Sequence, residues 1–565
     1  MVELWRQCLS DPTITAEEFI TGWFAPVGRG SAPSNGVDIS ISLDELKRDN
    51  VKDWLSYALY ATDLTKVDEE QSRLLDVSID LLEERLTNER RKRWRSAARS
   101  RRRAARAAAV ASGESAARAA EVEDLAEQRS RMRTPPPEFT FPTGFNKALR
   151  SYRLNLDPPS CNLQQRPLFY YALTEGIQTL VLPALMRQRG FTMHSEGRLT
   201  YWYHPGDSTA PDDDAEGEEA RSRAPPKELL EREGPQGDKA RRYHEEKGSL
   251  NPLVFVHGVG LGPLPYFGFI DSMLSNSKGA PMLVLELPFV SQRLSGLKDA
   301  PQEERTSKEI ANAMAAHGLT KATFVGHSLG TVYLAWLARL QPQLLASCVF
   351  IDPIVFLLHQ HKVAQSFLYS RPDKDNTKGH VERYFIKSEH SIVSFFHRHF
   401  YWFANILWAE DLRGTPSAII LADSDGIVPV KEVESYLRAD GGRSVRKLIT
   451  LKGQSHGSFL VDEGAREAVL TTVQQAQRWG RSKRRLRRAF SAVASAPGRC
   501  LWWLRPKKPK PSEGGAEASS SVEVTDLAGS NEWWEGVKQW WSGFGDDKEA
   551  QSGPQVVEMS RGNRR

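Results

Sequence analysis

From Asn251 onward, short apolar runs alternate with amphipathic stretches. Pro252–Val256, Leu283–Leu287, Ala322–Val325 and Ser417–Ala422 are mostly apolar and have the length of buried strands. Arg446–Leu451 adds another short strand, while Ser307–His317 and Thr331–Leu340 carry helical spacing. Strands alternating with helices predict an α/β architecture, a mostly parallel sheet with helices on both faces. Ahead of it, Gly190–Met193 and Arg198–Tyr203 read as a hairpin that opens the sheet.

The pattern along the whole chain predicts six regions. Residues 1–86 form a helical N-terminal region, with helical spacing over Ala16–Trp23 and Ser42–Tyr60 and with Trp5, Trp23, Trp54, Leu55 and Tyr57 as its core or as a clamp onto the rest. Residues 87–137 are an Arg/Ala-rich spacer, a solvated helix or a disordered segment, since helix formers abound there while large apolar residues are nearly absent. Residues 138–206 supply a connecting helix and the first strands. Residues 207–249, rich in Asp, Glu, Arg, Gly and Pro, are a disordered loop insertion. The core spans 250–480, with a helical cap at 354–415. The last region, 481–565, is a basic, Trp-containing, disordered tail.

Composition narrows the function classes. Hydrophobic residues make up 40% of the 565 residues, enough for one substantial core. The four cysteines stand apart without CxxC pairs, which predicts neither a disulfide framework nor a zinc module and fits a reducing, cytoplasmic setting. The first residues lead into a polar stretch rather than an apolar signal core. Net charge is +5, and the arginine runs at 90–95 and 101–103 lack the interleaved aromatics of a nucleic-acid surface, so no nucleic-acid partner is expected. No run reaches about eighteen apolar residues, the length of a membrane span. The nearest, Pro167–Met186, is broken by Glu175, Gln178 and Pro183. It reads as an amphipathic helix packed on the core, or as one lying on a membrane. Residues 481–510 carry eleven Lys and Arg and no acid, with Trp502 and Trp503 among them. Together with Trp533, Trp534, Trp540 and Trp541 in 531–544, they predict peripheral contact with an intracellular membrane. Cys500 is a candidate acylation site.

The chemistry concentrates at Gly326-His327-Ser328-Leu329-Gly330, between a strand and a helix. A serine so placed, with glycine two residues to either side, is a nucleophile elbow: the chain turns so sharply that side chains at 326 and 330 would collide. Serine is a weak nucleophile near neutrality and needs a base. His456, in Gly453-Gln454-Ser455-His456-Gly457 just past a strand, is that base. Asp425, directly before Gly426-Ile427-Val428-Pro429, is the acid that would orient it; Asp423 and Asp352 are its rivals. Upstream, His257-Gly258-Val259-Gly260 follows a strand and suits an oxyanion loop, with the backbone N–H groups of Val259 and Leu329 as donors. His257 and Gly258 order that loop, and His327 fills the second slot of the motif. The cap holds Phe395, Phe396, Phe400, Tyr401, Trp402, Phe403 and Trp408, which suits an apolar pocket or cover. It also holds His359, His361, His397 and His399. Two residues apart, such pairs point to different faces of a helix, so no metal is expected. His390 could approach the site but receives no role.

With these parts in order, the stretch from Arg198 to Val461 resembles the α/β-hydrolase superfamily, of the serine esterase and lipase type. More narrowly, Pro252–Tyr266, Asp49-Asn50-Val51 with Trp54, and Arg166–Tyr170 are similar to fungal and algal hydrolases with a long N-terminal extension. The wider resemblance implies an α/β-hydrolase fold and an enzyme cleaving carboxylic esters of apolar or lipid-like substrates through an acyl-enzyme, without cofactor. A catalytically silent scaffold for membranes or partners, and an acyltransferase using the same residues, are the alternatives.

Overall fold

Five strands of this chain are buried at every position, as strands covered on both faces must be. They are part of a computed structural model that describes residues 1–27, 41–113, 115–131, 134–153, 163–206, 250–293, 300–370, 372, 377–440 and 443–494. In chain order, β1 (Phe24–Pro26) and β2 (Leu149–Ser151) pair antiparallel in a small sheet. The main sheet comprises β3 (Thr192–Glu196), β4 (Leu199–His204), β5 (Leu253–Val256), β6 (Met282–Leu285), β7 (Ala322–His327), β8 (Leu345–Ile351), β9 (Ser417–Ala422) and β10 (Lys447–Leu451). Its order is β10-β9-β8-β7-β5-β6-β4-β3. The pairs from β10 to β6 are parallel, and the predicted hairpin β3–β4 adds an antiparallel edge through β6. Helices Phe267–Asn276 and Glu463–Ala494 contact one another, as do Glu303–Ala316 and Thr331–Leu340, and the two pairs cover the two faces.

Two boundaries differ from the sequence pattern, each for a local reason. The strand expected over Leu283–Leu287 ends at Leu285, because Glu286 turns inward to accept from Trp202 Nε1 at 2.7 Å and the Leu287 N–H goes to His257 Nε2 at 3.1 Å. The helix expected from Ser307 begins at Glu303: Glu303 and Glu304 suit the positive end of a helix, and Glu303 also pairs with Arg339 at 2.8 Å.

Among the described residues, Met1–Cys8 belongs to a separate unit from the larger one that begins at Leu9. Within the larger unit, helices Ala16–Thr21, Arg48–Tyr60 and Glu69–Ala111 gather around Phe19, Trp54, Leu55, Leu75, Ile79 and Leu82, all buried. This layer clamps onto the cap. Asp11 Oδ2 accepts from His359 Nε2 at 2.8 Å and Gln360 Nε2 at 2.7 Å, and Trp402 Nε1 donates to the Ala58 carbonyl at 2.7 Å. The long helix runs unbroken across residue 86, and its basic stretch meets the helix Ala116–Arg131, where Arg102 and Arg106 bond to Glu123 at 2.8 and 3.0 Å. The spacer is therefore helical over 87–111 and 116–131.

The cap forms from short helices between His361 and Leu412. At the other end of the core the helix Glu463–Ala494 continues past residue 480. The insertion expected at 207–249, and the tail from 495 with Cys500 and the stretch 531–544, lie outside the described residues. Among the described residues no helix is long and apolar enough to cross a membrane.

The helix expected over Pro167–Met186 runs from Leu168 to Gln188 with a π-helical turn at Ile177–Val181, just before Pro183. Proline has no N–H for the carbonyl four residues back, and a wider turn absorbs that break. Only its end, Leu182 and Met186, joins the main apolar core. Its first half packs by polar side chains instead.

Candidate active site

Ser328 has φ +53°, a left-handed conformation uncommon for a side chain with a Cβ. It is imposed by the passage from β7 through a single 3-10 turn, Ser328–Gly330, into the helix Thr331–Leu340. A Cβ at Gly330 would lie 2.2 Å from the Val256 carbonyl oxygen, and one at Gly326 would lie 3.0 Å from the Gly330 oxygen. Both glycines are thus needed for the elbow to nest against β5.

The loops after β9 and β10 bring the other two side chains to Ser328. Its Oγ stands 2.9 Å from His456 Nε2, and His456 Nδ1 stands 2.7 Å from Asp425 Oδ2. A carboxylate only accepts, so Nδ1 donates to Asp425, and Nε2 is left to accept the Ser328 proton. Asp425 is itself held by the Ile427 and Val428 N–H groups, at 2.7 and 2.9 Å to Oδ1. That grip explains why the acid immediately precedes Gly-Ile-Val. Burial opposes a charge on His456, but the charge and hydrogen bond of Asp425, with smaller help from Asp352 and Glu382, outweigh it and raise its pKa above the usual 6.5.

The rivals are placed elsewhere. Asp423 faces Ser424 at 3.2 Å and Lys452 at 3.8 Å. Asp352 is buried and accepts from the Gly457 N–H at 2.8 Å, so it steadies the loop that carries His456. Burial disfavours its charge, yet His327, His456 and that N–H together hold its pKa below the ordinary range. Asp352, Asp425 and His456 present atoms within 4.8 Å of one another, close enough to share a cation, but His456 Nδ1 and Asp425 are already committed to each other. His390 lies exposed at the start of the helix His390–Arg398.

The loop before the site is fastened from behind. Fully buried His257 bonds the Gly258 carbonyl through Nδ1 at 2.7 Å and accepts from the Leu287 N–H, and burial lowers its pKa to about 4. Tyr266 Oη accepts from the Gly258 N–H at 3.0 Å and donates to His327 Nδ1 at 2.7 Å. His327 Nε2 lies 3.6 Å from Asp352, beyond a hydrogen bond. His327 therefore does more than fill a slot: with Tyr266 it ties the Gly258 loop to the elbow. Nothing in the spacing of the sequence marks Tyr266 for this, because its partner is 61 residues away.

Val259 and Leu329 line a cavity beside Ser328. Its other walls are Ile354, Val363, Phe367, Leu368, Phe396, Phe400 and Ile427, and its empty volume, counting solvent at the mouth, is about 400 Å³. Apart from Ser328, no wall residue carries a polar side chain. Six of the walls, Ile354 to Phe400, come from the cap.

This order of strands, with the elbow after β7 and its partners after β9 and β10, is the α/β-hydrolase fold. Residues 251–375 match the family model described as the alpha/beta hydrolase fold. No curated protein matches the chain. Among solved structures it is similar to a carboxylesterase of Nitrososphaera gargenis at 16% identity, covering 40% of this chain and 92% of the other with a TM-score of 0.31. A monoacylglycerol lipase of Paleococcus ferrophilus gives 18% identity, 41% and 95% coverage and a TM-score of 0.29. A 2-hydroxy-6-oxo-6-phenylhexa-2,4-dienoate hydrolase of a Rhodococcus species gives 13%, 50% and 98%, and 0.31.

Proposed function

We propose that the protein is a serine hydrolase that cleaves carboxylic esters with apolar, lipid-like acyl groups. The observation that carries this reading is the unbroken relay Ser328–His456–Asp425, at 2.9 and 2.7 Å, opening on an apolar cavity. In the first half-reaction His456 Nε2 takes the Ser328 proton while Oγ bonds to the ester carbonyl carbon. Asp425 keeps the ring oriented and stabilises its cationic form. The N–H groups of Val259 and Leu329 receive the oxyanion, a contribution of about 3–4 kcal/mol per donor at comparable sites. The intermediate collapses, the C–O bond to the alcohol breaks, and His456 returns the proton to the leaving oxygen. Water then enters, loses a proton to His456, and releases the acyl group from Ser328 as a carboxylic acid.

The acyl chain would lie among Phe367, Phe396 and Phe400. Apolar burial favours it by about 0.8 kcal/mol per methylene, which predicts lower KM with longer acyl chains until the cavity is filled. A fluorophosphonate probe tests the nucleophile: native protein should be labelled at Ser328, while heat-denatured protein and Ser328→Ala should not. Folded protein that stays unlabelled where a control esterase reacts would instead make this a silent scaffold.

A further inference from the structure

Over its first half the helix Leu168–Gln188 is inside out. Thr174 Oγ1 donates to the Gln292 carbonyl at 3.0 Å, Gln178 Nε2 to the Ser291 carbonyl at 2.5 Å, and Tyr171 Oη to Glu389 at 2.9 Å. The outward stripe is Leu168, Phe169, Leu173, Leu180 and Val181, which are 74, 72, 58, 73 and 45% exposed. Even the exposed Thr179 turns its hydroxyl to the Glu175 carbonyl, at 2.7 Å. A second apolar strip adjoins it from the cap, where Val381, Tyr384 and Phe385 are 51, 40 and 43% exposed. The Phe385 ring lies 6.0 Å from Tyr170, and buried Arg166 joins the strips by stacking 3.9 Å from the Tyr384 ring and bonding Ser388 Oγ at 2.9 Å.

This surface flanks the mouth of the site. A Cβ at Gly262 would stand 3.1 Å from Gln178 Oε1, so the helix abuts the loop that carries Val259. On the other side the charge of Glu382 reaches His456, and Lys387 bonds Glu382 at 3.1 Å and the carbonyl of Ser366, next to the cavity wall, also at 3.1 Å.

We propose that this face docks on a lipid bilayer and sets the cavity at Ser328 against it. The choice of a bilayer over a folded partner rests on hydrogen bonding and charge. Protein interfaces have polar rims that exchange hydrogen bonds, whereas this stripe has spent its polar groups inward, as a surface facing hydrocarbon must. Glu389 is fully buried, Glu382 is paired with Lys387, Glu175 is half-buried and Asp271 is paired with Arg189 at 2.8 Å, so the nearby carboxylates are withdrawn or matched by cations; Arg187 stands exposed at the end of the helix. The stripe from residue 168 to 181 is about 20 Å long and follows one helix, as in a helix lying in the headgroup boundary. An apolar substrate would pass from bilayer to cavity without crossing water. The docking itself stands independently of the chemistry proposed for Ser328.

The test is co-sedimentation of the full chain with phosphatidylcholine vesicles in about 0.5 M salt, which screens attraction by the basic tail. Wild-type protein should sediment with the vesicles, and Leu168→Ser/Phe169→Ser/Leu173→Ser/Leu180→Ser should lower the partition coefficient at least about tenfold. Leu173→Trp should raise it, since indole favours the interface; this variant keeps the test decisive if the quadruple change fails to fold. Ser328→Ala should bind like wild type, so failure of docking and failure of the esterase reading are separable. Wild-type protein that ignores the vesicles would overturn the proposal. So would variants that partition unchanged, or a wild-type dimer that the quadruple variant dissolves with no change in vesicle binding.

Discussion

Polar side chains are buried in two neighbouring regions, and the outcomes are opposite. At the elbow, a chain of donors and acceptors runs from the Ile427 and Val428 N–H groups through Asp425 and His456 and ends on the Ser328 hydroxyl, which faces an open cavity. Along Leu168–Gln188, Thr174, Gln178 and Tyr171 end on carbonyls or on a buried carboxylate, and nothing reactive is left over. Burying polar groups therefore does not make a reactive site. An unfinished end facing empty space does, together with a charge partner that shifts a pKa toward its task.

The strongest way to break this contrast is Ser328→Ala, which should lower kcat on a short soluble ester about a millionfold while the thermal midpoint stays put. Residual turnover within tenfold of wild type would place the reactive end elsewhere. Next, Asp425→Asn should cost about 10⁴ in kcat. Asp352→Asn, which disturbs the loop behind His456 and removes a smaller charge acting on its ring, should cost about ten- to a hundredfold, the scale of outer-shell partners. The reverse ranking would transfer the acid's role to Asp352.

A pH series sharpens the comparison further. His456 works as a base only when neutral, and its pKa is raised above 6.5. kcat/KM should thus fall about tenfold per pH unit below that raised value. Stability should move the other way: the protonated ring gains from Asp425 in the folded state, so its contribution is full below pH 6.5 and fades as pH rises through the folded pKa. An acid limb well below pH 6.5 would contradict the Asp425 contact. The smallest effect belongs to the other region. Gln178→Leu leaves the Ser291 carbonyl without its donor, while Arg293 loses its bond to Gln178 Oε1 at 2.9 Å and keeps Glu286 at 3.4 Å. Unfolding by denaturant should show a loss of about 1–3 kcal/mol, with kcat per folded molecule unchanged.

Much of the site was legible because it depends on local patterns. The glycines at 326 and 330, the apolar run before them and the helix after them announce the elbow within about twenty residues. Asp425 could be preferred over Asp423 because the N–H groups that grip a carboxylate lie two and three residues beyond it. Tyr266, the anchoring role of His327 and the position of Asp352 under Gly457 were not legible, since each depends on contacts across 61 to 105 residues. The helix Leu168–Gln188 was foreseen as amphipathic, packed on the core or lying on a membrane, but the sequence left open which side would face outward. Periodicity measures how strongly two faces differ, and it is blind to which one meets the protein.

By itself, then, the chain's pattern determined the alternation of strand and helix, the order of the reactive residues along it, and the chemistry those residue types allow. Residue type and short-range spacing act within a few residues of backbone, and there the sequence is nearly sufficient. Only the tertiary structure decided which carboxylate reached His456, what closed the cavity, how the N-terminal layer gripped the cap through Asp11 and Trp402, and which face of a helix was left to the solvent. Those outcomes depend on distances between segments 31 to 348 residues apart, which packing sets and no local pattern encodes.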